Sequence, residues 1–179
     1  MVAKDDYVVV LDFLPRGKPM DRKVEPIAQV IGDKFFNLLE VVVKDGVALK
    51  TGERLYIGPD KRDIVKYIRS RISYKELTNF SRSEMENVIR DIMSKDEKRF
   101  VNFFNTAGPI TTRLHSLELL PGIGKKHMWS VINARKTKLF ESFDDLRQRV
   151  DMLPDPRKIV IRRILDEFEG KDRYRFFVA

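Results

Sequence analysis

The clearest chemical signal in the chain is six residues long, Pro121-Gly122-Ile123-Gly124-Lys125-Lys126. Proline has no N–H and cannot continue a helix, so Pro121 closes whatever precedes it. Gly122 and Gly124 allow backbone angles closed to other residues and leave no Cβ near a ligand. Ile123 between them can turn inward as an anchor. A helix starting after Gly124 presents backbone N–H groups without intrahelical partners, at the positive end of its dipole. Such an end takes up anions, and Lys125 and Lys126 add full charges there. The chemistry expected of this spacing is capture of a phosphate. The flanks, Thr111 to Leu120 and Lys125 to Arg135, read as the two helices of a helix-turn-helix hairpin.

Other chemistries find little support. The absence of cysteine excludes disulfides, thiolate zinc sites, iron–sulfur clusters and cysteine nucleophiles. The two histidines, His115 and His127, read as surface or hydrogen-bonded residues rather than metal ligands. Gly124-Lys125-Lys126 lacks the rest of a Walker loop. No catalytic constellation emerges, and no cofactor is expected.

These residues resemble the helix-hairpin-helix family, whose usual core is Leu-Pro-Gly-Ile-Gly followed by a basic residue. The resemblance implies that the amides around Gly122, Ile123, Gly124, Lys125 and Lys126 grip a backbone phosphate without reading bases. It also implies a monovalent cation held by the Leu120 and Gly122 carbonyls. Met128 departs from the pattern, standing where the family usually has a small residue. A second half follows, with a helix from Phe140 to Leu146 capped by Ser142 or Asp144. A turn spans Val150 to Pro156, and Ile159, Val160, Ile164, Leu165 and Phe168 form an apolar helix face. This is similar to the tandem form of the family, with a degenerate second hairpin, because Pro154 and Pro156 lack N–H groups. Arg157, Lys158, Arg162 and Arg163 are its candidate secondary phosphate contacts.

Charge supports a polyanionic partner. The net charge is +8, and residues 1–60 carry 9 Lys/Arg against 10 Asp/Glu, so the positive excess lies entirely beyond them. Residues 61–74 contain Lys66, Arg69 and Arg71 with Tyr67 and Tyr74, a basic aromatic stretch able to follow a backbone. Isoleucines every fourth position suggest a helix there, but the β-branched and aromatic content favours a strand completing a barrel.

The elements that must position these residues give an α+β chain. Tyr7–Leu14, Ile27–Ile31, Phe35–Val43 and Leu55–Ile57 read as strands separated by turn residues, with a tight hairpin at Lys44-Asp45-Gly46. They suggest a small β-barrel, OB-like, over residues 1–75, with an SH3-like barrel or another small sheet fitting almost as well. Residues 76–108 form a helical connector, with capping boxes at Ser81–Glu84 and Ser83–Glu86 and a Phe100, Phe103, Phe104 core stripe. Residues 109–179 form an all-helical tandem helix-hairpin-helix domain. Trp129 is expected to be buried, with base stacking by a partly exposed ring as the alternative, and the aromatic tail from Asp172 either packs back or meets a partner.

The whole chain also resembles an archaeal family of unknown function whose members are presumed to bind RNA. The resemblance runs from the β region through Arg113–Trp129 to Leu153–Pro156. It implies a place in ribosome or RNA metabolism, with ribosomal or RNA-processing proteins as further partners. The expected function is therefore cytoplasmic, largely sequence-nonspecific nucleic-acid binding, RNA before DNA and away from membranes. Two alternatives stand beside it. One is a protein–protein adaptor in a ribosomal complex. The other is a DNA glycosylase of the hairpin type, whose lysine and aspartate spacing Lys126 and Asp144 match.

Overall fold

The structure is a computed structural model and describes residues 3–179. The chain divides into two compact units, one of the residues up to Val88 with Glu167–Ala179, the other of Ile89–Asp166.

The first unit is a curled five-stranded antiparallel sheet, a half-barrel. Its strands are β1 (Tyr7–Leu14), β2 (Ile27–Gly32), β3 (Leu38–Val43), β4 (Arg54–Tyr56) and β5 (Val65–Arg71), in the order β4-β1-β2-β3-β5. The first four have the Greek-key order. Alternating Val8, Val10, Ala28, Val30, Val41 and Val43 form its core with Leu55, Ile57 and Val65. Residues 61–74 resolve as the edge strand β5, exposed at every position but Val65.

Two local expectations fail here. Lys44-Asp45-Gly46 does turn, with Gly46 at φ 79°, but it joins no hairpin, because β4 pairs with β1 instead of β3. Phe35 to Asn37 are not part of β3. The buried carboxylate of Asp5 accepts the N–H groups of Lys34, Phe35 and Asn37 at 2.9, 2.7 and 3.3 Å and holds Phe36 at φ 57°. Gly32 makes room for this, since a Cβ there would lie 1.9 Å from the Asp5 carboxylate.

Helix α1 (Asn79–Lys95) begins earlier than its serines suggest. Thr78 caps it, its Oγ1 accepting the Ser81 N–H at 3.0 Å. Ser81 is wholly buried and donates to Gln29 Oε1 at 2.7 Å, so it serves the sheet rather than a cap. The aromatic tail packs back on its own unit. Buried Glu167 accepts the N–H groups of Phe176, Phe177 and Val178, and the Ala179 N–H reaches the Phe35 carbonyl at 3.1 Å.

The second unit is mixed, not all-helical. Helix α2 (Glu97–Thr106) leads to a two-stranded ribbon of β6 (Pro109–Thr111) and β7 (Leu114–His115). Helices α3 (Lys125–Thr137), α4 (Phe143–Arg149) and α5 (from Pro156) follow. Phe100, Phe104 and Phe143 are fully buried, and Phe104 meets Phe143 edge-on at 6.5 Å. No helix among the described residues is long and apolar enough to cross a membrane.

Candidate nucleic-acid interface

The stretch before Pro121 is the largest departure from expectation. Thr111 to Leu120 is no α-helix; it is a β-turn, strand β7 and one 3-10 turn at Ser116–Leu119. His115 organises that turn, its Nδ1 accepting the Leu117 N–H at 3.1 Å while its own N–H goes to Glu118 Oε2 at 2.9 Å. The turn stops at Leu120, whose extended backbone (φ −78°, ψ 132°) is what a following proline enforces. Arg163, only 3% exposed, donates to the Leu119 carbonyl at 3.0 Å and so fixes this entry. Its expected role on phosphate gives way to that buried one.

The turn itself is as its residues dictate. Gly122 sits at φ 79°, a left-handed angle open to glycine. Ile123 is buried, as are Leu117 and Leu120, and its N–H closes onto the Leu120 carbonyl at 3.1 Å. That carbonyl, one of the two expected cation ligands, keeps one lone pair. Gly124 is the N-cap of α3 and brings no side-chain cap. The first helical bond is from the Met128 N–H to the Gly124 carbonyl, at 3.0 Å. The amides of Gly124, Lys125, Lys126 and His127 therefore have no partner among the described residues. Gly122, Gly124, Lys125 and Lys126 are exposed, and neither lysine makes an ion pair among the described residues.

The second turn lies beside the first, since a Cβ on Gly122 would stand 3.8 Å from Pro154 Cγ. Ser142 is the cap of α4, accepting the Asp145 N–H at 2.9 Å. Asp155 Oδ1 accepts the Arg157 N–H at 3.0 Å and so caps α5. Arg157 bridges Glu97 and Asp144 at 2.9 and 3.1 Å. Arg162 pairs with Asp166 at 2.9 Å, and Lys158 stays exposed without an ion pair.

The basic stretch of β5 belongs to the other unit and is partly engaged within it. Arg69 chelates Asp21 with bonds of 2.8 and 2.6 Å, which hold the Asp21 carboxyl far below its ordinary range and raise the guanidinium. Arg71 donates to the Ala179 carbonyl oxygen at 2.7 Å, and Tyr67 to Glu25. Of Lys66, Arg69 and Arg71, the Lys66 side chain makes no hydrogen bond or ion pair among the described residues.

Sequence reasoning misplaced two features beside the hairpin. Trp129 is 55% exposed rather than buried. It lines a groove of about 460 Å³ between the β6–β7 ribbon and α3, with Arg113, His115, Lys125 and Met128. The helix-face spacing 125, 128, 129, 132 was legible; the ribbon opposite was not, because that segment reads as helix. Burial, with Arg135 nearby adding to it, lowers the His115 pKa from the ordinary 6.5, so the ring is neutral and its proton sits on Nε2.

Comparison with known proteins places the chain. A family profile described as "Protein of unknown function (DUF655)" matches residues 4–179. The chain belongs to the DUF655 family. It is 45% identical over 176 residues to an uncharacterised protein of Methanocaldococcus jannaschii, covering 97% of this chain and 80% of that one. It also matches the crystal structure of Af1531 from Archaeoglobus fulgidus, of the same family. That match has a TM-score of 0.88 and 44% identity, over 98% of this chain and 100% of that one. The two relatives make this an archaeal family of α+β proteins.

Proposed function

We propose that this DUF655 protein binds nucleic acid by its sugar-phosphate backbone, largely irrespective of sequence, at the turn from Gly122 to Lys126. The observation that carries the reading is the bare N-terminus of α3. Four consecutive amides lack partners there, glycine leaves their approach open, and two unpaired lysines flank them. A phosphate satisfies such donors and the helix dipole together. The side-by-side turns of Gly122 and Pro154 support the tandem helix-hairpin-helix reading, with a 3-10 turn standing for the first helix. The second unit carries 16 Lys/Arg against 10 Asp/Glu, which favours a polyanion. RNA is the preferred ligand. The Greek-key strand order supports an OB-like reading of the half-barrel, in order alone, since β3 and β5 are antiparallel and β4 and β5 stay apart.

The test is affinity for a structured RNA and a duplex DNA across a salt series. Binding that weakens steeply with salt is expected, because each neutralised phosphate contributes about 0.9 to the log–log slope. Salt-independent binding, or none to either ligand, overturns the reading.

A further inference from the structure

Trp129 stands one turn below Lys125 on the same face of α3, because residues four apart are neighbours on a helix. Four residues rise about 6 Å along the axis. That is the order of the reach from a nucleotide's phosphate to its own base. The groove beside this face holds about 460 Å³, within the range of about 300–1,000 Å³ typical of small-ligand sites. Its walls combine an apolar floor at Met128 with polar groups at the rim. Arg113 and Lys125 bring positive charge with no ion pair among the described residues. His115 brings an N–H donor at Nε2, and its Nδ1 is already engaged with Leu117. Glu118 is the acidic group of the lining, and its carboxylate is held by the His115 backbone. An exposed indole beside cationic groups is the composition of a base-stacking platform.

We infer that this groove takes one unpaired base of the strand whose phosphate sits at Gly122–Lys126, with the base stacked on Trp129. The inference rests on the phosphate-binding reading above and extends it from backbone to ligand form. In a duplex both faces of a base are covered by its stacked neighbours. Only an unpaired or terminal base can offer a face to the indole. The protein thereby prefers single strands, loops or frayed ends over continuous duplex.

Trp129 is the sole tryptophan, so its fluorescence reports the groove directly. The experiment titrates the full chain with a single-stranded RNA of about 12 nucleotides and with a duplex RNA long enough that its ends are a negligible share of its sites. Fluorescence anisotropy of labelled nucleic acid measures binding, and tryptophan emission with unlabelled nucleic acid measures stacking. Binding of both ligands, with quenching by the single strand alone, is expected. Trp129→Ala should weaken single-strand binding about 5- to 150-fold, the range for one stacked base, and duplex binding less than about twofold. Trp129→Phe should restore part of the loss. Binding without quenching, or equal effects of Trp129→Ala on both ligands, overturns the inference while the hairpin reading stands. Absence of binding to either ligand removes both.

Discussion

Two helix N-termini lie side by side in the second unit and have opposite fates. At α3 the cap is Gly124, which has no side chain to offer, and the first amides stay open to solvent. At α5 Asp155 occupies the same place with a carboxylate that already takes the Arg157 N–H. Pro154 and Pro156 remove two further donors from that end. The cations differ likewise. Lys125 and Lys126 are exposed and unpaired, whereas Arg157 is held by Glu97 and Asp144. A side-chain cap is worth about 1 kcal/mol over alanine. The α5 end takes that stabilisation internally, and the α3 end leaves its donors to be satisfied from outside. Similar turns thus end in a helix start closed by its own side chain in one copy and left open in the other, and the difference is a matter of one capping side chain, two prolines and the pairing of the nearby cations.

The largest effect should come from charge at the open end. Lys125→Glu with Lys126→Glu removes two phosphate contacts, lowers the salt slope by about 2 and weakens binding about 60-fold at ~0.1 M salt. Circular dichroism should stay unchanged, because both side chains are exposed. If affinity in a titration is unaltered, the open end is not the site. Next comes Gly124→Asp, which makes the first end like the second. The backbone there (φ −93°, ψ −175°) suits a capping aspartate, and a Cβ meets nothing within 4 Å. The unfolding free energy should hold or rise by a few tenths of a kcal/mol, while binding falls about tenfold or more as a carboxylate takes the phosphate's place. Retained binding would show that the amides do not carry it.

Asp155→Ala probes the closed end. It should cost about 1 kcal/mol in chemical denaturation and change affinity little, since the prolines still offer no N–H. A gain in binding would mean that the cap alone silences the second turn. The smallest effect concerns pH. His115, in the turn entering the first hairpin, has its pKa lowered in the fold by burial and then by Arg135. The unfolded chain therefore takes up the proton first, and stability falls as pH drops below about 6.5. On α4, before the second turn, the Glu141 N–H and then Arg149 lower the Asp145 pKa from its ordinary 3.8. Its contribution is present above that value and is lost only at more acid pH. His115→Gln should flatten the slope of unfolding stability between about pH 7 and 5 and leave the more acidic limb intact.

Much of the fold follows from short-range rules. The strands β1, β2 and β5, the caps at Gly124 and Ser142, and the buried phenylalanines of α2 are all legible from propensity and spacing. The hairpin turn is the sharpest case, because Pro121, Gly122 and Gly124 restrict or free their own backbone angles without help from elsewhere. The helix expected before it was not legible. Its apolar spacing suits a helix, but Leu114 and His115 find partners in Pro109 and Thr111 and become a ribbon. What only tertiary structure decided is which basic residues remain available and where the tryptophan faces. Arg69 meets Asp21 across 48 residues, Arg157 meets Glu97 across 60, and Arg163 meets the Leu119 carbonyl across 44. The backbone angles of Pro121, Gly122 and Gly124 depend on those residues and their immediate neighbours, so the sequence determines them. The availability of a charge or an indole depends on groups brought close only by the folded chain, and so the sequence named the candidate turn while the fold selected the cations and the groove that surround it.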